Sequence, residues 1–486
     1  MIDVLYKKFG VPYRQDPANP KEVTGVHITE IQNNSNNTRS NSFINLLGKV
    51  LKKNNNIKII YNNVVNKVIL KKNNKCDVYK NKLRAIGVEV YEKPFIQEFN
   101  TSGNKIKCNC DAKIPNKDLS KPKIYYANKE VILCGGAINT PQIMMLSGLG
   151  LGPRSELESL GIKVKKNIEG VGKNLMDHVE ATIAYELDPT KFMWIWQATY
   201  FKHNTDYKKL ASPEVQKTIE KYARPVNDLG PTPISLMWDW VVNADSNYSY
   251  PDVHTHFIEF LYFDYNLNFI KLKGDNYEVP QHKYDTYMPN KYKPLEYPGI
   301  KDLKLNYNNR ITDPSNSLVM ISFLIENLKT KATGSIKLSS SDPRDTPLID
   351  LGLWTDIKAI RNIAKQMLLI REFMKTPEMI KYAKNPSDYS SYEMFPGSVL
   401  KTEEELIKYI QKWQSFGHHI SGTCKMGPID DCMSVVDSKL RVKGVDGLRI
   451  VDASVYPPPD LHAYNPTRGI YMIAELISDV IKNEYK

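Results

Sequence analysis

Two short stretches near the C-terminus hold side chains suited to moving protons. Phe416 to Gly427 reads FGHHISGTCKMG, which places His418 and His419 next to a small Ser-Gly-Thr turn. An imidazole exchanges protons near neutral pH, and a turn of small residues lets it reach a bound molecule, so His419 is a candidate general base. The pair has a plainer reading too, as a packing or surface feature. His462 to Glu475 reads HAYNPTRGIYMIAE. Asn465 is placed to cap a helix that Pro466 begins, because its side chain accepts from free backbone N–H groups and Pro donates none. His462, three residues earlier, is a rival for any catalytic role given to Asn465. Between the two stretches, LRIVDASVYP (Leu448 to Pro457) is an apolar strand ending at Asp452, a residue equally suited to a strand-end turn.

These groups need a frame. After Pro466, Ile470, Ile473, Ala474, Ile477, Val480 and Ile481 recur at three- and four-residue spacing, which predicts a helix with one buried face and its positive end at Asn465. KEVILCGGAINTPQIMMLSGLG predicts a strand over Val131 to Cys134 and a tight turn at Gly135 and Gly136. A helix capped by Thr140, opened by Pro141 and closed by Gly148 follows. Such a unit faces a cofactor in some α/β proteins and nothing in others. Alternation over Asn56 to Leu70 and Lys82 to Glu92 predicts strands, and SFINLLGKVLKK a short amphipathic helix. From about Val179, KFMWIWQATYF, PISLMWDWVV and FIEFLYFDYN read as a separate domain with a broad sheet. Its aromatic stripe is either a pocket roof or plain core. Helices are expected over Asp356 to Met374 and Thr402 to Gln414, before SKLRVKGVDGLRIVDAS returns to the first domain.

The 486 residues carry a formal charge of +12, with 41% hydrophobic and 25% charged residues, so a folded body of two or three domains is expected. The lysines are spread through asparagine-rich segments with no focused basic face, which argues against nucleic acid. No run of eighteen apolar residues occurs, and MIDVLYKKFG lacks the apolar core of a secretory signal. Localisation is left open. Asn33 and Asn36 open glycosylation sequons that matter only in a secreted protein. Cys108 and Cys110 have no matching pair at ligand spacing, so no metal site is expected. Cys424 and Cys432 are candidates for a bridge in an oxidising compartment.

In their order and spacing, the three C-terminal pieces resemble the glucose-methanol-choline oxidoreductases, flavoenzymes that oxidise alcohols. GGAINTPQIMMLSGLG (Gly135 to Gly150) with EGVGKNLMDHVE (Glu169 to Glu180) resembles the family's second signature and its sequel, most of all in the insect glucose-dehydrogenase-like branch. The resemblance implies an α/β fold with an α+β second domain: an incomplete Rossmann-like FAD-binding domain and a substrate domain on a largely antiparallel sheet. It implies FAD-binding segments at 33–178 and 430–486, and a substrate domain at 179–429 with 1–32 attached. FAD is the implied cofactor, with Val65, Gly135, Gly136, Ala137, Asp452, Ala453, Asn465, Pro466 and Thr467 at its site. Val65 is also explained as strand core. His419 matches the family's base and Asn465 its second active-site position, with the hydride passing to flavin N5. The implied partners are a small alcohol or sugar and an electron acceptor.

One departure stands out. The family opens with a strand, a G-x-G-x-x-G turn and a helix, but Gly148-Leu-Gly150 and Gly170-Val-Gly172 both fail that pattern and setting. The first βαβ unit is therefore expected to be missing, and the chain reads as N-terminally truncated. Three readings follow: a partial FAD-dependent oxidoreductase, a non-catalytic relative that binds a ligand or partner, and an unrelated α/β binding protein.

Overall fold

The structure is a computed structural model that describes residues 1–14, 24–28, 46–51, 53–54, 56–61, 63–72, 83–92, 122–149, 154–224, 234–240, 251–258, 271–273, 276–278, 314, 319–387, 392–413, 415–458 and 465–486. The sequons at Asn33 and Asn36, Cys108, Cys110, His462 and most of FIEFLYFDYN lie outside the described residues. The chain divides into two compact units, one of residues 1–53, 179–328 and 357–415, the other of 54–178, 329–356 and 416–486. The change of unit at 178/179 coincides with the shift in composition. The boundary expected at 429/430 falls instead at 415/416, and 329–356 also joins the second unit. Backbone pairing explains both differences. Gly422 and Cys424 donate to the carbonyls of Ala453 and Ser454, and Leu175 and Gly334 exchange reciprocal bonds.

The first unit is built on an antiparallel sheet. Along its path lie Gly25–Ile28, Ile234–Trp240, Val253–Ile258, Val319–Asn327, Val179–Leu187 and Glu393–Phe395. Val319–Asn327 is buried at every position, as a central strand covered on both faces must be. One face packs on the helix Ile357–Met374. The Phe257, Phe323 and Phe373 rings meet edge to face there, at 4.9 and 6.3 Å between centroids. Of the aromatic stripe, Phe201, Trp238 and Phe257 are buried, whereas Tyr200 is exposed.

The other face carries a buried ionic network. Asp239 lies in register with His254, and His254 with Glu326. Asp239 accepts from Arg14 Nη1 at 2.6 Å, lies 3.2 Å from His27 Nε2 and bonds His254 Nδ1. Burial by itself raises the Asp239 carboxyl, but His254 and His27 overcome it and hold the group far below the usual carboxylate range. Burial likewise disfavours charged His254, and Asp239 more than offsets it, so His254 titrates above its ordinary value.

The second unit joins parallel and antiparallel pairings. Leu83–Glu92 pairs antiparallel with Asn63–Lys72 and Lys123–Tyr126, and parallel with Val445–Asp446. Val131–Leu133 pairs parallel with Leu448–Ile450, which is how the C-terminal segment returns to this body. Two expectations are corrected. The strand predicted from Asn56 begins only at Asn63. In the C-terminal helix, Thr467–Glu484, Ala474 is exposed and only Ile477 is buried, with Ile473, Val480 and Ile481 packed partly against the core. Arg449 helps hold that helix down, bonding Glu130 and Glu484 from a position 2% exposed.

Candidate active site

The helix after Val131–Leu133 begins a turn earlier than its residues suggested. It spans Gly136–Leu146, with Gly135 rather than Thr140 at its N-cap and Pro141 inside. Two hydroxyls make this possible. Thr140 Oγ1 accepts from Gly135 N–H at 3.0 Å and donates to Asp452 Oδ2 at 2.6 Å, while Gly136 N–H donates to the same oxygen at 2.9 Å. Pro141 lacks the N–H that would bond the carbonyl four residues back, at Ala137. Thr423 Oγ1 donates to that carbonyl instead, at 2.6 Å. One threonine therefore repairs the helix and fastens the His419 loop to it. Gly148 ends the unit as expected, at φ 75°, where a Cβ would lie 2.4 Å from the Lys163 carbonyl.

The loop bearing His419 is held at both ends. Met176 and Ser421 exchange backbone bonds at 3.0 Å, and Cys424 and Met426 donate to the carbonyls of Ser454 and Val455 at 2.8 and 2.7 Å. His418 adopts φ 57°, a left-handed turn residue, and is exposed, whereas His419 is half-buried. Asp177 Oδ1 accepts from the backbone N–H of both His178, at 2.8 Å, and His419, at 3.0 Å. Burial pushes the Asp177 carboxyl above its ordinary value, against the pull of these two donors.

Around the His419 ring, His178 Nδ1 lies 3.0 Å from Nδ1 and Asn465 Nδ2 lies 3.2 Å from Nε2. Asn465 also acts as the expected cap. Its Oδ1 accepts from Thr467 N–H at 2.9 Å, and Pro466 already has helical angles although the hydrogen-bonded helix starts at Thr467. The structure thus brings His419 and Asn465 together at the N-terminus of an 18-residue helix. Sequence reasoning missed Asp177, His178 and Thr423. Asp177 and His178 stand in NLMDH and Thr423 in SGT, segments whose local pattern carries no sign of what these side chains bond.

Of the remaining predicted positions, Asp452 has both carboxylate oxygens taken by protein donors, Oδ1 by Ser454 N–H and Oδ2 by Gly136 and Thr140. It fastens the Gly136 turn to the short turn at Ser454. Val65 is half-buried in Asn63–Lys72, beside a bulge. Cys424 is buried and Cys432 exposed, and both are free thiols. A flavin fits what is present. A Cβ at Gly136 would meet nothing within 4 Å, so the turn's backbone is open to a ligand. The positive end of the Thr467–Glu484 helix, beside Asn465 and His419, is suited to a developing negative charge.

In fold the chain is similar to an FAD-dependent oxidoreductase from Chaetomium thermophilum, with TM-score 0.63 and 21% identity over 98% of this chain and 70% of that one. It is also similar to a fungal aryl-alcohol oxidase, with TM-score 0.65 and 18% identity over 100% and 71%. The class is therefore a mixed α/β fold with a broad antiparallel sheet in one of its units. Two models of the GMC oxidoreductase family match, over residues 6–180 and 330–474. The chain belongs to the GMC oxidoreductase family.

Among curated relatives, patulin synthase of Aspergillus clavatus is 28% identical over 72% of this chain and 48% of its own length. Human mitochondrial choline dehydrogenase is 27% identical over 74% and 48%. The chain spans about half the length of these relatives. Two expectations change. The likeness is to the family at large, with choline dehydrogenases among its relatives, and not specifically to the insect branch. The family's N-terminal domain is also represented, from residue 6, although the glycine-rich motif is not legible in the sequence.

Proposed function

We propose that this protein oxidises the CH–OH group of a small alcohol or sugar, with His419 as the base that takes the hydroxyl proton. The observation that carries this is the pairing of His419 Nε2 with Asn465 Nδ2, 3.2 Å apart, where an 18-residue helix begins. Bound FAD supplies the acceptor for the hydride, a task no side chain can perform. His419 Nε2 accepts the proton as the alcohol becomes a carbonyl compound, and Asn465 Nδ2 donates to the same substrate oxygen. The positive helix end lowers the energy of the negative charge that develops there. Gly136 presents the open backbone that would hold the cofactor, between Gly135 and Ala137, with Ala453, Pro466 and Thr467 as its other proposed neighbours and Val65 as the residue whose backbone would meet the adenine.

A non-catalytic, ligand- or partner-binding role is the second reading, favoured by the absence of a recognisable glycine-rich motif. Visible absorption of the purified protein separates the two, together with turnover of a panel of alcohols and sugars with a dye acceptor. His419→Ala is expected to keep the flavin band and lose about 10²–10⁴-fold in turnover, the range general-base catalysis contributes. Loss of flavin with unchanged turnover per bound flavin removes His419 from the role.

A further inference from the structure

We propose that His178 is a positioning residue that fixes the tautomer of His419, leaving Nε2 bare for the substrate proton. This rests on the reading of His419 as the base, and it follows from which atoms can donate. Asn465 Oδ1 is committed to accepting from Thr467 N–H at 2.9 Å, and this settles the orientation of its amide. Its Nδ2, a donor only, is therefore the atom 3.2 Å from His419 Nε2. Nε2 must accept, so neutral His419 carries its proton on Nδ1. That proton points at His178 Nδ1, 3.0 Å away, which must be the bare nitrogen of its own ring, and His178 holds its proton on Nε2. The chain runs in one direction, from Asn465 Nδ2 to His419 Nε2 and from His419 Nδ1 to His178 Nδ1.

The backbone makes this arrangement rigid. Asp177 Oδ1 binds the N–H of both His178 and His419, so a single carboxylate sets the spacing of the two residues whose rings pair. The rings stand nearly perpendicular, 86° apart with centroids at 5.2 Å, which directs one ring's nitrogen at the other's edge. The consequence is chemical. When Nε2 takes a proton, Nδ1–H becomes part of an imidazolium, and its bond to His178 becomes charge-assisted and strengthens. A third group that orients the base is the general logic of activated donor and acceptor sets. Here a neutral histidine fills that place.

The test uses histidine-selective 15N labelling of the whole chain, with the signals assigned by His419→Gln and His178→Asn. The wild-type protein is expected to show His419 protonated on Nδ1 and bare on Nε2. His178→Asn puts an amide oxygen as many bonds from the backbone as Nδ1, so it retains the acceptor, the tautomer and a flavin-reduction rate within about threefold. His178→Phe removes the acceptor. It is expected to populate the Nε2–H form and to slow flavin reduction by about a hundredfold, within the range of general-base effects. A wild-type His419 protonated on Nε2, or a His178→Phe protein with unchanged tautomer and rate, overturns the proposal. The tautomer is read without turnover, so failure of His419 as the base appears separately, as flavin reduction indifferent to His419→Ala.

Discussion

Replacing Thr423 by Val removes one hydroxyl from a fully buried position and keeps the side-chain shape. The 2.6 Å bond to the Ala137 carbonyl is lost. With Pro141 four residues on, no helical N–H can take its place. A carbonyl left bare and buried costs about 1–3 kcal/mol, so the variant should lose about that much. Pro141→Ala restores the missing N–H. Alone it should cost about 0.5 kcal/mol through the freer unfolded chain; in the Thr423→Val background it should recover about 1 kcal/mol or more. Urea titration followed by hydrogen exchange of peptides covering residues 131–149 reads all four proteins, with midpoints compared at constant slope. Additive effects with no recovery in the double variant would refute the idea that threonine and proline are coupled through that carbonyl.

Other expectations concern the two units separately. Gly422 sits at φ 84°, where a Cβ would approach the Asn174 carbonyl to 2.4 Å. Gly422→Ala should destabilise the second unit by about 2 kcal/mol or more through left-handed strain and this clash, and wild-type stability in denaturant counts against it. In the first unit, Asp239 titrates below 3.8 and contributes stability that is complete above that pH and lost on acidification through its folded value. His254 titrates above 6.5, so its contribution is complete below that pH and lost as pH rises through the higher folded value. Stability of this unit against pH should therefore peak between about 4 and 6.5. Asp239→Asn should flatten the profile and cost about 3–5 kcal/mol, since Arg14 loses a buried partner; an unchanged profile contradicts this.

What was legible in the sequence follows the range of the interaction. Local rules located the helix over Ile357–Met374, and the one over Glu403–Trp413. In the latter, Thr402 and Glu405 exchange bonds as a capping box, Glu405 N–H to Thr402 Oγ1 at 3.2 Å and Thr402 N–H to Glu405 Oε2 at 2.9 Å. The same rules misplaced the start of Gly136–Leu146. Pro141 ordinarily marks a first turn, and only a hydroxyl 282 positions away in sequence, at Thr423, makes an interior proline tolerable. His419 and Asn465 were visible because each sits in a recognisable run. Their partners Asp177 and His178 act over 242 and 241 positions, a separation that local pattern does not encode. The buried Asp239 network was missed for the same reason. Arg14, His27 and His254 each look like surface residues until the strands pair.

The most direct test is anaerobic single-turnover mixing of the flavin-loaded protein with primary alcohols and sugars, with bleaching of the flavin band followed in wild type and His419→Ala. Bleaching by at least one such compound is expected, slowed about 10²–10⁴-fold in the variant at equal flavin content. Equal bleaching rates in the two proteins would contradict the assignment of the substrate's proton to His419.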